Sequence, residues 1–409
     1  MARDETRAGD VTHPLEATHA YGERLARALL GVDALYRQES GDEDGLVVLN
    51  MDTEGRYPPE PFADYAEAAR GFRGLEGEAA GLPEADRRVY YAEVCRSTLA
   101  FVAWRTKGLS FTDQLSGFLH VPAAPAPEAE LDEMQDHIRA LLTRMGYTGD
   151  LRQQAADWEE RNRVPPDEVE GVLSSFLDEA WTRTEERLLE IPADRSDGMR
   201  VSTVRGVPYN ARCDYLNRTV ELNVDPALTR PGLKHLAVHE GCPGHYVQFK
   251  LRESMAGRGQ ACADVLLSVV NTASSSVFEG IADAGLEMLG WVDSDDDRLQ
   301  TMMNRYRAGI GTGAAWRLHA LKWAPDAVAS WLRGRSLVGG EGWVENRMRF
   351  ISSPSRAALI WSYWWGERVV TPVWRRVAAD RRSEFLRFLH GRMHSNGSVA
   401  MFDSDGREG

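Results

Sequence analysis

Three things are scarce in this sequence: cysteine, lysine and long uncharged apolar stretches. The four cysteines among 409 residues, Cys95, Cys213, Cys242 and Cys262, are scattered without a Cys-x-x-Cys pair, which excludes a disulfide framework. Cys242 is expected to be a small buried filler. No run of about 18 uncharged apolar residues occurs, so no membrane span is expected. Residues Met1 to Asp10 are charged and lack an apolar core, so no secretory leader is expected and the reducing cytoplasm is the expected compartment. Positive charge is also in deficit. Lys and Arg number 48 against 62 Asp and Glu, a formal net charge of −14, and the basic residues are nearly all arginine without a basic run. That balance argues against a nucleic-acid surface, which works by neutralising phosphates with clustered positive charge. A hydrophobic content of 43% and a charged content of 27% describe an ordinary globular protein. Nothing in the sequence addresses the oligomeric state.

What is present is mostly helical periodicity. Apolar residues recur at three- and four-residue spacing over Leu15–Tyr36, Phe62–Ala80 and Arg87–Lys107, which makes residues 1–120 an N-terminal helical region. Residues 121–130 form a Pro/Ala-rich connector, stiff and extended through Val121–Pro127. Helical patterns resume over Glu128–Met145 and from about Pro166 to Ile191. Alternating Val, Tyr and Leu over Met199–Arg205, Asn210–Tyr215 and Thr219–Asn223 predict two or three short antiparallel strands within about 199–224. Helices then dominate to about Leu389, so residues 131–394 form the larger helical region, and 395–409 is expected to be a frayed tail. The expected class is mainly α, one body with a small antiparallel hairpin or sheet.

The strongest chemical signal is His239-Glu240-Gly241-Cys242-Pro243-Gly244-His245. It looks like the zinc-hydrolase pattern His-Glu-x-x-His lengthened by two residues. In the shorter pattern, two histidines one turn apart share a helix face and grip a metal, and the glutamate acts on a metal-bound water. Six residues on a regular helix rotate the second histidine by roughly 240°, so the backbone must bend between them. Pro243-Gly244 stands where that bend is needed, because proline lacks a donor and glycine opens unusual dihedrals. Upstream, Thr229 is a plausible cap with Pro231 in the first turn. The short strands just before this helix could offer an edge to an extended peptide, or merely cover the core.

A hydrolytic zinc takes three protein ligands and keeps one position open. Downstream, Glu279, Asp283 and Glu287 recur every four residues among buried-type neighbours Val277, Phe278, Ile281 and Leu286, so they share a face. Glu279 is the candidate third ligand, since a carboxylate on a buried helix needs a partner. Asp283, one turn on, could accept from the second ring nitrogen of a ligating histidine. His235 lies four residues before His239 and is expected to support the site rather than bind the metal, because Glu240 would otherwise follow the second histidine.

From about Tyr209 to Gly366 the chain resembles the domain of unknown function 885 family, similar in turn to helical zinc peptidases of the thimet-oligopeptidase type. The matching elements are His239, Glu240, Pro243, Gly244, His245 and Gln248; then Phe278-Glu279-Gly280; then Leu318-His319 with Trp323; then Pro354 with Tyr363-Trp364-Trp365-Gly366. Where the family often has a second consecutive histidine, this chain has Tyr246, and Ala315 stands where an aspartate is usual. The resemblance implies a large helical zincin-like fold with the strands beside the metal helix. It also implies zinc, or another divalent metal, held by His239, His245 and Glu279, with Glu240 as general base. His319 and Tyr363 become candidate oxyanion donors. Arg356 and Arg307 are candidates for a substrate carboxylate, and Trp361, Trp364 and Trp365 are expected to be helix packing.

The function so implied is hydrolysis of an amide or peptide bond in a peptide or small amide-containing substrate. Two alternatives stay open. One is a metal-dependent biosynthetic enzyme acting on a small nitrogenous metabolite, and the other is a scaffold without turnover.

Overall fold

The computed structural model describes residues 14–41 and 45–402; the expectations for Met1–Asp10 and for residues 403–409 of the tail fall outside them. Seven helices come first: α1 (Pro14–Ser40), α2 (Tyr65–Ala79), α3 (Ala85–Lys107), α4 (Phe111–Leu119), α5 (Glu128–Arg144), α6 (Leu151–Asn162) and α7 (Val169–Arg187). After the central strands come α8 (Arg230–Leu236), α9 (His245–Gly257), α10 (Ser275–Asp283) and α11 (Gly285–Met288). The C-terminal part holds α12 (Asp295–His319), α13 (Pro325–Arg335), α14 (Gly340–Ser352), α15 (Ile360–Arg376), α16 (Arg382–His390) and α17 (Asn396–Val399). The fold is mainly α, and no described helix is long and apolar enough to cross a membrane.

Strands β1 (Val47–Asn50) and β5 (Leu267–Val269) form an antiparallel pair that the sequence pattern did not suggest. The expected strands are β2 (Arg200–Val204), β3 (Ala211–Asp214) and β4 (Thr219–Asn223), in the order β2-β4-β3. Strands β3 and β4 make the expected antiparallel hairpin, and β2 joins it running parallel to β4. Alternation reveals which face is buried but not strand direction, so a short crossover leaves no mark in the pattern. Val220 and Leu222 of β4 pack with Leu173 and Leu177 of α7 and with Leu233 and Ala237, which seats this sheet against α8.

One continuous core runs from Tyr21 in α1 to Met393. The Pro/Ala connector is fastened across it: Ala126 N–H donates to Thr312 Oγ1 (2.9 Å), and Trp361 Nε1 donates to the Ala124 carbonyl (2.8 Å). A second core joins Val277 and Ile281 of α10 to Val370, Val373 and Trp374 of α15, and to Val399. The frayed tail is therefore corrected for its described part. Ser395 caps α17 by accepting from Ser398 N–H, and Ser395, Ser398 and Val399 are fully buried, their small side chains fitting between helices rather than solvating.

The crossing of α10 and α15 sets the position of the site. A Cβ on Gly280 would stand 2.2 Å from the Gly366 carbonyl oxygen, so the two backbones touch where neither has a side chain. This contact is backbone to backbone and cannot be relieved by a rotamer change. Gly280→Ala is expected to cost about 1–3 kcal/mol by overpacking and to lower the thermal midpoint; an unchanged midpoint would contradict so close a crossing.

Candidate metal centre

The motif helix starts as the sequence indicates. Thr229 Oγ1 accepts from Gly232 N–H at 3.1 Å, with Pro231 in the first turn of α8. Lys234 of α8 reaches Asp297 at the head of α12 (2.8 Å), a buried ion pair that pins the helix in place. Beyond Leu236 the backbone widens into a π-helical turn over Ala237–Gly241, which carries His239 and Glu240. Such a turn is often found at functional sites, and it was not foreseen from sequence. The chain then leaves the helix at Cys242 (φ −120°, ψ 126°) and re-enters at His245 as α9. Gly244 N–H closes the break by donating to the Val238 carbonyl at 3.0 Å. Only glycine fits there, since a Cβ would lie 1.9 Å from the His239 carbonyl oxygen.

This break brings the two imidazoles together, 4.7 Å between ring centres and nearly perpendicular. Glu279 of α10 meets both: its Oε2 lies 3.3 Å from His239 Nε2 and 3.6 Å from His245 Nε2. His239 Nδ1 faces the other way, onto Asp283 Oδ1 at 2.9 Å. His245 stacks on Phe278 with centroids 4.3 Å apart, and Gln248 Nε2 bridges from near His245 Nδ1 (3.5 Å) to the Phe278 carbonyl (3.1 Å). One helix, α10, thus supplies the carboxylate, the acceptor behind His239 and the ring under His245.

The donor set fits a divalent metal. Glu279 Oε2 is enclosed and has no hydrogen-bond partner among the described residues, although two ring nitrogens face it. A buried carboxylate oxygen left unmatched is costly, and a cation between the three atoms would match it. The ligand atoms of His239, His245 and Glu279 lie within 4.8 Å of one another. A second trio, His235, His239 and Asp283, satisfies the same spacing. There, however, the carboxylate is already bonded to His239 Nδ1, as expected for an acceptor that orients a ligand, and His235 Nε2 stands back at 3.7 Å.

Electrostatics agree. Burial works against charge on Glu279, yet the flanking histidines hold its carboxyl down at about 2. Burial would likewise neutralise His239, but the Asp283 carboxylate, with help from Glu279, raises it well above an ordinary imidazole. Burial lowers His235 to about 4, so it is neutral at pH 7.

The trio opens on a cavity of about 1170 Å³, lined among others by Glu240, Asp283, His235, Tyr363, Arg307 and Arg356. The Glu240 side chain makes no hydrogen bond or ion pair with the described residues. The Tyr363 phenol is pushed well above its usual range by burial and then by Glu279, so it stays protonated. His319 is a correction. It is not among the lining residues: its Nε2 lies 2.6 Å from the Ile351 carbonyl, and its ring stacks on Phe111. It ends α12 11 residues beyond the lining residue Ala308, roughly 16 Å along the axis. Arg307 lines the wall but is engaged, donating to the Val338 carbonyl at 2.8 Å and lying over Trp343. Glu287 turns outward to Arg375, Trp361 and Trp364 are buried in packing, and Tyr246 donates to the Asp197 carbonyl away from the cavity.

No family model matches the chain, and no curated protein matches it. Two solved structures share the fold. One is described as "the putative lipoprotein from Colwellia psychrerythraea", 12% identical, with a TM-score of 0.57 over 85% of this chain and 70% of that one. The other is "a putative lipoprotein of unknown function from Shewanella oneidensis", 13% identical, with a TM-score of 0.50 over 82% and 72%. At these identities the likeness concerns the fold alone.

Two outcomes follow for the centre. Glu279→Ala should abolish stoichiometric zinc binding, while Asp283→Asn should weaken it by about 10–100-fold, both read by chelator competition; full occupancy in Glu279→Ala would overturn the ligand set. Because a metal displaces protons from imidazole nitrogens, and Asp283 makes the His239 ring more basic, zinc binding should release protons and weaken as pH falls. Calorimetry in buffers of different ionisation enthalpy reads this, and identical heats would contradict it.

Proposed function

We propose that the protein is a metal-dependent hydrolase of amide or peptide bonds, with zinc as the expected ion. The observation that carries this reading is an enclosed, unmatched carboxylate oxygen facing two imidazoles beside an unpartnered glutamate on a large cavity. His239, His245 and Glu279 would hold the metal. When bound, it would acidify a water and polarise the substrate carbonyl.

The chain's own groups perform the rest. Glu240, next to His239 and free to face the cavity, takes a proton from the attacking water and returns it to the leaving nitrogen. Asp283 keeps the His239 ring turned so that Nε2 points inward. Tyr363, protonated and on the cavity wall, donates to the oxygen that gains charge as the carbonyl is attacked. Strand β3 is an edge strand whose residues 211–214 line the cavity, which suits an extended peptide.

The motif resemblance to the domain of unknown function 885 family supports the same chemistry. A biosynthetic enzyme acting on a small nitrogenous metabolite is the second reading, but the cavity volume and the edge strand favour a peptide. The scaffold reading gives no reason for Glu240. Four free cysteines suit a reducing compartment, and the cytoplasm is part of the proposal.

Glu240→Gln should keep its zinc and lose turnover by about 10²–10⁴-fold, measured by mass spectrometry on a mixed peptide library with zinc-loaded protein. Wild-type cleavage by the variant would remove Glu240 as the base. No cleavage by the wild type would shift the substrate to the small metabolite.

A further inference from the structure

The cavity wall formed by α12 and α14 carries Arg305, Arg307, Arg347 and Arg349, and all but one are engaged. Arg305 pairs with Glu367 and Arg349 with Glu345, while Arg307 donates to the Val338 carbonyl; on β3, facing the same cavity, Arg212 pairs with Glu221. Arg347 differs. It lines the same cavity, its side chain has no hydrogen bond or ion pair with any described residue, and its Nε is enclosed without a partner among them. Its guanidinium is held by rings alone, 5.6 Å from the centroid of Trp343 and 5.6 Å from that of Phe350. Burial pulls its titration down to about 10, still far above neutrality, so it is charged at pH 7.

A cationic fork fixed between two aromatic faces, with its donors unused, is costly in isolation and suited to a planar anion. The placement of Tyr363 relates it to the metal centre. The phenol lines the same cavity as Glu279 and Arg347 and is within electrostatic reach of both. One cavity therefore holds the metal-competent carboxylates and imidazoles, the Tyr363 hydroxyl and the unpaired Arg347 guanidinium.

We propose that Arg347 binds a carboxylate of the substrate, so that the enzyme acts on amides that carry a free carboxylate beyond the bond to be cleaved. This deepens the hydrolase reading and rests on it. The carboxylate is a peptide C-terminus or the acid of a side chain or small metabolite. In both cases the guanidinium fixes the distance from the anion to the reacting carbonyl, and substrates without the anion are left with an unpaired buried charge.

The test uses zinc-loaded protein and hydroxamates, which chelate the metal through one end. One series ends in a plain alkyl carboxylate with two to six methylenes; the other ends in a glycine carboxylate joined through an amide. Each acid is compared with its methyl ester by calorimetry. The expected result is that, at one length, the acid binds at least about tenfold tighter than its ester. The series that shows the gap identifies the source of the anion. In Arg347→Gln the gap should close with zinc content unchanged, and Arg347→Lys, which keeps charge without the fork, should restore part of it. Acids and esters binding alike in the wild type at every length would overturn the arginine site and leave the metal reading standing. No binding by any hydroxamate would overturn both.

Discussion

The site depends on one constraint: a carboxylate oxygen of Glu279 is enclosed where no donor among the described residues bonds it, and two imidazole nitrogens converge on it. A folded chain rarely leaves such an atom unmatched. The surrounding architecture makes the convergence possible. The Gly280–Gly366 crossing lets α10 lie deep, the break at Gly244 turns His245 back toward His239, and Asp283 fixes the His239 ring. Loss of any one of these separates the donors without altering their identity.

Much of this was legible in the sequence because it is local. The Thr229 cap, the first-turn Pro231, the bend at Pro243-Gly244, and the shared face of Glu279 and Asp283 all follow from helix periodicity and from the backbone limits of two residue types. The helices of the first third and the positions of the central strands followed from hydrophobic spacing in the same way. What was not legible is tertiary. The π-helical turn that carries His239 has no compositional mark, the parallel run of β2 depends on a crossover, and α17 looked like a tail because its buried residues are small and polar.

His319 and Arg347 show the same limit from opposite sides. His319 sits in a matching motif, yet its helix carries it beyond the cavity to a backbone carbonyl. Arg347 sits in no motif, and what distinguishes it from its neighbours is the lack of a partner, which only the packed structure reveals. The polarity proposed for the cavity rests on these two kinds of group, Glu240 and Glu279 at the candidate metal centre and the unpaired Arg347 on α14. The shared fold with two bacterial structures extends over most of the chain but, at 12% and 13% identity, does not speak to that polarity.

The most direct measurement is an anomalous-difference map at the zinc edge from crystals of the zinc-loaded protein. A single strong peak is expected about 2.0–2.2 Å from His239 Nε2, His245 Nε2 and a Glu279 carboxylate oxygen. A map without a peak there, or with its peak between His235 and Asp283, would contradict it.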